Sequence, residues 1–164
     1  MTERVWVSIG SNIRPAEMVR AAVRELRTRF GEVIVSPVYQ TPATGFAGDD
    51  FYNLVAGFDT AQPLPALRDM LRRIEGEQGR VRTAEKFCAR TLDIDVMLYG
   101  EQVTRVAGKP IPSQEILEYA FVLKPLADVI PEAKHPEQQV SYQQLWEQFA
   151  GEKQGLQHIP LTFE

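Results

Sequence analysis

Two amphipathic helical segments, each between β-rich runs, constrain the fold of this chain more than any other feature of its sequence. In the first segment an apolar residue recurs every four positions: Met18, Ala22, Leu26 and Phe30. The second segment follows two prolines and carries its own apolar stripe: Leu67, Met70, Leu71 and Ile74. Such spacing places the apolar side chains on one helix face, so each segment is predicted to pack against another layer.

The β-rich runs are residues 4–9, 32–40, 51–59 and 92–99. Pro37 lies inside the second run and predicts an edge position or a bulge there, because proline donates no ladder hydrogen bond. Together with the helices, the runs predict the order β-α-β-β-α-β. This order is typical of an α+β, ferredoxin-like fold with an antiparallel sheet.

The rest of the chain is less regular. We predict a hairpin near 102–109, a helix over 114–121 and a last short helix over 141–149. The breaker-rich segment 41–50 is long for a connection inside a compact domain, which indicates a functional loop. Nothing in the composition marks a linker, so residues 1–164 are predicted to form one domain.

Charge and cysteine content exclude several classes of protein. The net charge of −4 argues against a general nucleic-acid binder. Cys88 is the only cysteine, which rules out a disulfide within the chain and favours a reducing, cytoplasmic location. No apolar run is long enough to span a membrane, and the first residues lack a signal-peptide pattern. A monomer without membrane or nucleic-acid partners is expected.

Asp93 and Asp95 are the most informative residues of the fourth β-rich run. Their spacing places both carboxylates on one face of a strand, with Ile94 and Val96 on the other. The pair could simply face water. However, aspartate is poorly suited to strands and neighbouring like charges repel, whereas a hard divalent cation such as Mg²⁺ is commonly held by carboxylates together with substrate phosphates.

A basic stretch precedes the carboxylates in this otherwise acidic chain, and it contains Arg80, Arg82 and Arg90. A solvated charged loop is one interpretation. The other is phosphate binding, because guanidinium groups bind phosphate oxygens bidentately. Arginines opposite Mg²⁺ favour phosphoryl transfer. The segment Gly10-Ser11-Asn12 is too short a match for a phosphate loop and is predicted to be a turn.

Several segments together resemble the 6-hydroxymethyl-7,8-dihydropterin pyrophosphokinase family of folate biosynthesis. The signature is carried by residues 79–82 and 89–98. Further segments are similar to the family's first strand, pterin-binding loop and strand, and C-terminal block: 9–12, 39–42, 51–53 and 121–126. The resemblance implies a ferredoxin-like βαββαβ core with helices on both sides of the sheet. It also implies transfer of the diphosphoryl group of ATP to the pterin hydroxymethyl oxygen.

The resemblance further implies roles for individual residues. Asp93 and Asp95 would hold two Mg²⁺ ions that bridge ATP to the pterin hydroxymethyl group. Arg80 and Arg90 would stabilise the transferring group and the AMP that leaves, and Arg82 would help to close the site over ATP. The implied ATP contacts are Glu75, Arg80, Arg82, Arg90 and Val96. The implied pterin contacts are Thr41, Pro42, Phe51, Asn53 and Phe121, although Phe51 and Phe121 could instead be plain core residues.

Departures from the family pattern lie on the ATP side. Ser113 and Tyr119 stand where the family usually has a histidine and an arginine that reach phosphate, and Gly108 replaces another basic residue. One interpretation is a pyrophosphokinase in which Lys109, Lys124 or another cation compensates, and we favour it. The alternatives are a pterin-binding paralogue with lost or altered ATP-dependent activity, or a non-catalytic ferredoxin-like ligand-binding module.

The remaining histidines and tryptophans have no assigned chemistry. His135 and His158 are predicted to lie on the surface. Trp6 and Trp146 are predicted to be packing residues rather than ligand contacts.

Overall fold

A computed structural model describes residues 2–42, 51–78, 92–151 and 155–163. The strands are β1 (Glu3–Ser11), β2 (Ile34–Val35), β3 (Val38–Thr41), β4 (Phe51–Thr60), β5 (Asp93–Tyr99), β6 (Thr104–Val106), β7 (Lys109–Ile111) and β8 (Gln157–Ile159). The helices are α1 (Pro15–Phe30), α2 (Leu64–Gln78), α3 (Glu115–Glu118), α4 (Ala120–Val129) and α5 (Tyr142–Glu147).

The main sheet has the strand order β5-β1-β4-β3-β8, and β2 also pairs with β4. Its paired strands are antiparallel, and β6 and β7 form a separate hairpin. The two longest strands, β1 and β4, are therefore central, and helices α1 and α2 connect strands as the sequence pattern predicts. The ferredoxin-like prediction is confirmed.

Apolar side chains leave the sheet on both faces because successive residues of a strand alternate. Val5, Val7 and Ile9 of β1 join the core beneath α1 and α2, whereas Trp6 joins a second core. Buried residues of α4 and α5 cover this second face: Val122, Leu123, Leu126 and Tyr142. Helices on both faces give the three layers that the family resemblance implies.

Pro37 interrupts the second β-rich run and divides it into β2 and β3, so that of the predicted edge position or bulge the structure has a bulge-like interruption. The buried Ser36 bridges the interruption. Its backbone N–H donates to the carbonyl of Val55 at 3.0 Å. Its hydroxyl accepts the N–H of Val55 at 2.9 Å, so a side chain replaces part of the missing ladder.

The predicted helix over 114–121 is wrong in its bounds. Tyr119 is extended, with φ −120° and ψ 124°, and separates α3 from α4. Helix α4 then continues to Val129 although it contains Pro125, because burial of the apolar side chains around the proline outweighs one lost helical hydrogen bond. Strand β8 was not predicted; it is short and pairs with β3.

The two histidines differ in burial. The prediction for His135 is wrong, since the residue is only 1% exposed. Its Nδ1 accepts backbone N–H groups from Glu137 at 3.1 Å and Gln138 at 3.2 Å, so the ring organises a tight turn. His158 is exposed, as predicted.

Trp6 is buried in the second core and Trp146 packs against it, which confirms both as packing residues.

None of the helices formed by the described residues has the length and apolar character needed to cross a membrane.

Candidate active site

A cavity of about 440 Å³ lies where the ends of several strands meet. Sheet register assembles it: Gly10 of β1 pairs with Asn53 of β4 on one side and with Asp93 of β5 on the other. On the far side of β4, Tyr39 of β3 pairs with Asn53, and Thr41, two residues further along β3, pairs with Phe51. Residues far apart in sequence therefore become neighbours through backbone pairing alone.

The five side chains implied to bind the pterin all line this cavity: Thr41, Pro42, Phe51, Asn53 and Phe121. Asn53 is 7% exposed, and its amide nitrogen donates to the Thr41 hydroxyl at 3.1 Å. Phe51 and Phe121 are half-buried rather than fully enclosed in the core. The arrangement provides a buried amide and half-buried aromatic surfaces, which suits a flat heterocycle with a polar edge.

Gly10 is a site residue that the sequence did not reveal. The predicted turn at this point is wrong, because β1 continues through Gly10 and Ser11. A Cβ atom at Gly10 would lie 3.2 Å from the Asn53 side-chain oxygen. Glycine therefore leaves room for the amide to lie across β1, a constraint that only the pairing of β1 with β4 makes visible.

The carboxylates of Asp93 and Asp95 line the same cavity. Both residues are half-buried, while Ile94 and Val96 are buried on the opposite face, so the alternation predicted for this strand is confirmed. Glu115 of α3 also lines the cavity. Burial raises the pKa of the Glu115 carboxyl, and the negative charges of Asp95 and Asp93 raise it further against the opposing charge of Lys109.

This acidic cluster fits a divalent cation in its donor chemistry, because carboxylate oxygens are the ligands that Mg²⁺ prefers. Across residues 2–42, 51–78, 92–151 and 155–163, no group of three or more His, Cys, Asp or Glu side chains forms a complete metal site. Asp93 and Asp95 could therefore supply only part of a coordination shell. Water and substrate oxygens would supply the remainder, as is usual for Mg²⁺.

Arg72 of α2 is a second residue that the sequence did not reveal. Its Nη2 donates to Asp95 Oδ1 at 2.7 Å, and its Nη1 lies 2.6 Å from Glu75 Oε1. Glu75, which was predicted to contact ATP, also accepts the backbone N–H of Ile94 at 2.6 Å. Burial raises the pKa of Glu75, against the opposing effects of the Ile94 N–H group and Arg72.

A smaller recess shares Asp95, Lys109 and Glu115 with the cavity. It is lined by Arg68, Arg72, Asp95, Val96, Met97, Val106, Lys109, Pro110, Ile111, Ser113 and Glu115. Val96, another predicted ATP contact, therefore lies beside the acidic pair. Lys109 lines both spaces, whereas Lys124 is paired with Asp128 at 2.7 Å and lines neither. Of the two lysines considered as compensating cations, the geometry favours Lys109.

Two of the departures from the family pattern also lie close to the site. Ser113 lines the recess, and its hydroxyl accepts the N–H of Glu115 at 3.2 Å. Tyr119 is 44% exposed, and its ring stacks on Phe121 with centroids 5.0 Å apart. The positions thus carry a hydroxyl and an aromatic ring where the family resemblance implies a histidine and an arginine. Arg80, Arg82 and Arg90 lie outside the described residues, and their roles stay predictions.

Fold and site together define an α+β domain with a small-molecule cavity beside an acidic pair. Residues 6–131 match the model of the 7,8-dihydro-6-hydroxymethylpterin-pyrophosphokinase (HPPK) family. This match covers most of the chain, so the chain belongs to that family, as its sequence motifs predicted.

Two curated relatives agree with this assignment. The chain is 41% identical over 143 residues to the 2-amino-4-hydroxy-6-hydroxymethyldihydropteridine pyrophosphokinase of Pseudomonas aeruginosa, with 84% of this chain and 86% of the relative covered. It is 32% identical over 152 residues to the Haemophilus influenzae protein of the same name, with 90% and 94% covered.

Solved structures confirm the fold. A Plasmodium falciparum HPPK-DHPS triple mutant with SDX-DHP superimposes with a TM-score of 0.72 at 14% identity. The alignment covers 91% of this chain but only 42% of the Plasmodium chain. At this identity the likeness shows the fold alone.

Proposed function

We propose that this chain transfers the diphosphoryl group of ATP to the hydroxymethyl oxygen of 6-hydroxymethyl-7,8-dihydropterin and releases AMP, a step of folate biosynthesis. One observation carries the proposal: the five pterin-side residues and the two aspartates line one cavity. Family membership provides the reaction, and the cavity provides a place where its acceptor and an acidic pair can meet.

The pterin would be bound by stacking of its flat ring and by hydrogen bonds to its polar edge. Phe51 and Phe121 offer aromatic surfaces to the flat ring, and stacking of this kind adds to simple burial. Asn53 is oriented by its hydrogen bond to Thr41, so its amide can pair with the ring's donor and acceptor groups. Because Asn53 lies in a central strand, its position is set before the ligand enters.

Asp93 and Asp95 would hold the magnesium. When bound, Mg²⁺ supplies charge neutralisation at the phosphates and makes a nearby hydroxyl easier to deprotonate. The two carboxylates lie on a strand fixed by pairing with β1, so they retain their spacing in a rigid frame. Glu115 closes the acidic cluster from α3, and Lys109 provides a cation where cavity and recess meet.

Arg80 and Arg90 would stabilise the transferring group and the leaving AMP, and Arg82 would help to exclude water from the site. Glu75 and Val96 are proposed as further ATP contacts. Val96 lies in the recess beside Asp95, which supports its assignment. We expect the chain to act as a cytoplasmic monomer on its small-molecule substrates.

The test is an assay of AMP release from ATP with and without hydroxymethyl-dihydropterin. We expect release that depends on the pterin and on Mg²⁺, and its loss in Asp95→Ala. Asp69→Asn on the exposed face of α2 is the matched control and should retain full activity. Full activity of Asp95→Ala would contradict the metal role.

Calorimetry separates the alternatives. A pterin-binding paralogue would bind the pterin without binding a non-hydrolysable ATP analogue in Mg²⁺, and would release no AMP. A non-catalytic module of the same fold would bind neither ligand. Binding of both ligands together with pterin-dependent AMP release is the outcome that we expect.

A further inference from the structure

The outer edge of β5 is closed by side chains. In the part of the sheet that the structure describes, β5 is an end strand. Both backbone groups of Ile94 point away from β1: the N–H donates to Glu75 Oε2 at 2.6 Å, and the carbonyl accepts from Arg72 Nη2 at 3.1 Å. The Arg72–Glu75 pair on α2 thus satisfies the hydrogen-bonding groups that a neighbouring strand would otherwise pair with.

Arg72 does more than close the edge. Its Nη1 contacts both Glu75 oxygens, at 2.6 and 2.7 Å. Its Nη2 uses a second donor to reach Asp95 Oδ1 at 2.7 Å. The contact with Asp95 is not needed to satisfy the Ile94 backbone. It is also not needed to solvate Asp95, whose side chain is 34% exposed.

The positive charge of Arg72 is therefore in direct contact with Asp95, one of the proposed Mg²⁺ ligands. A guanidinium keeps its proton at any physiological pH, so this positive charge is permanent. This charge repels a metal cation and so disfavours its binding at Asp95. The side chain of Arg72 is itself 32% exposed and lines the recess together with Arg68 and Lys109, where an anion has access to it.

We infer that Arg72 is a positioning residue that couples divalent-cation binding at Asp93 and Asp95 to nucleotide binding. The inference rests on the proposed function. Without nucleotide, the guanidinium neutralises and orients Asp95. It thereby lowers the affinity of the acidic pair for a metal ion. A phosphate in the recess gives the guanidinium an alternative anionic partner of matching geometry, which leaves Asp95 available to the cation.

The test is a titration with Mn²⁺, followed by electron paramagnetic resonance, on wild type, Arg72→Gln and Arg73→Gln. Without nucleotide, Arg72→Gln should bind Mn²⁺ roughly tenfold more tightly, because a like charge next to the site is gone. The increase in Mn²⁺ affinity caused by a non-hydrolysable ATP analogue should shrink by a similar factor. Arg73, the exposed neighbour on α2, is the matched control and should behave as wild type.

An Arg72→Gln variant with wild-type Mn²⁺ affinity and wild-type coupling would overturn the inference. A second measurement does not depend on the stability of that variant. In wild type without any divalent cation, the side-chain NMR signals of Arg72, assigned with Arg72→Lys, should shift when the ATP analogue is added. Unchanged signals at saturating analogue would also overturn it.

Failure of the inference is distinguishable from failure of the proposed function. Pterin-dependent AMP release by wild type, combined with unchanged coupling in Arg72→Gln, contradicts the role of Arg72 alone. Absence of AMP release from wild type contradicts the proposed reaction.

Discussion

Replacement of Asn53 by alanine removes the most buried polar side chain on the proposed pterin side of the cavity. Asn53 is 7% exposed and is oriented by a hydrogen bond of 3.1 Å to Thr41. The substitution would leave polar groups of the bound pterin unpaired beside a buried position, at a cost of about 2–3 kcal/mol. This corresponds to a roughly 30- to 150-fold increase in the Kd for the pterin.

Calorimetric titration with the pterin alone measures this change without any contribution from nucleotide. Affinity for the ATP analogue with Mg²⁺ should stay near wild type, because Asn53 does not line the recess. Thr41→Val is the matched control: it removes the orienting partner but keeps the amide, and should weaken binding less. A variant Asn53→Ala that binds the pterin within threefold of wild type would refute the assigned role.

Three further outcomes are expected. Gly10→Ala should weaken pterin binding while ATP analogue binding persists, since its Cβ would lie 3.2 Å from the Asn53 side-chain oxygen; equal pterin affinity in calorimetry would contradict this. Tyr119→Ala should raise the Kd for the pterin about threefold through loss of the ring that stacks on Phe121, and Tyr119→Phe should not. Burial lowers the pKa of His135, so the unfolded chain takes up its proton first and unfolding free energy should fall as pH drops below about 6.5. In His135→Asn, which keeps an acceptor but does not titrate, denaturant unfolding should show a flatter dependence between pH 7 and 5; an unchanged slope would contradict the assignment.

Local patterns in the sequence were sufficient to predict the four principal β-rich runs of the sheet and its acidic face. The four β-rich runs and two amphipathic segments predicted the strand and helix order, because periodicity reports which side of an element is buried. The same alternation placed Asp93 and Asp95 on one side of β5, away from buried Ile94. Pro37 predicted an edge position or a bulge in the second β-rich run for an equally local reason, its missing N–H group.

Features that depend on contacts between residues distant in sequence could not be predicted from local sequence patterns. The contact of Arg72 with Asp95 spans 23 positions and requires α2 to lie against the edge of β5. Burial of His135 depends on a turn that folds its own backbone N–H groups onto the ring. The need for glycine at position 10 follows from pairing with β4, and no pattern within β1 signals it.

The architecture explains how residues on the proposed ATP side can change while those on the proposed pterin side stay in place. Asn53 and the two aspartates lie on central or directly paired strands, where a shift of one residue would turn every side chain to the opposite face. Ser113 and Tyr119 instead lie where the chain enters and leaves the short helix α3. Substitutions at such positions change charge without changing register. A cation lost there can be replaced from another direction, and Arg72 and Lys109 reach the recess from α2 and β7. The proposed phosphate contacts can therefore be exchanged between elements, whereas the proposed acceptor pocket depends on the sheet itself.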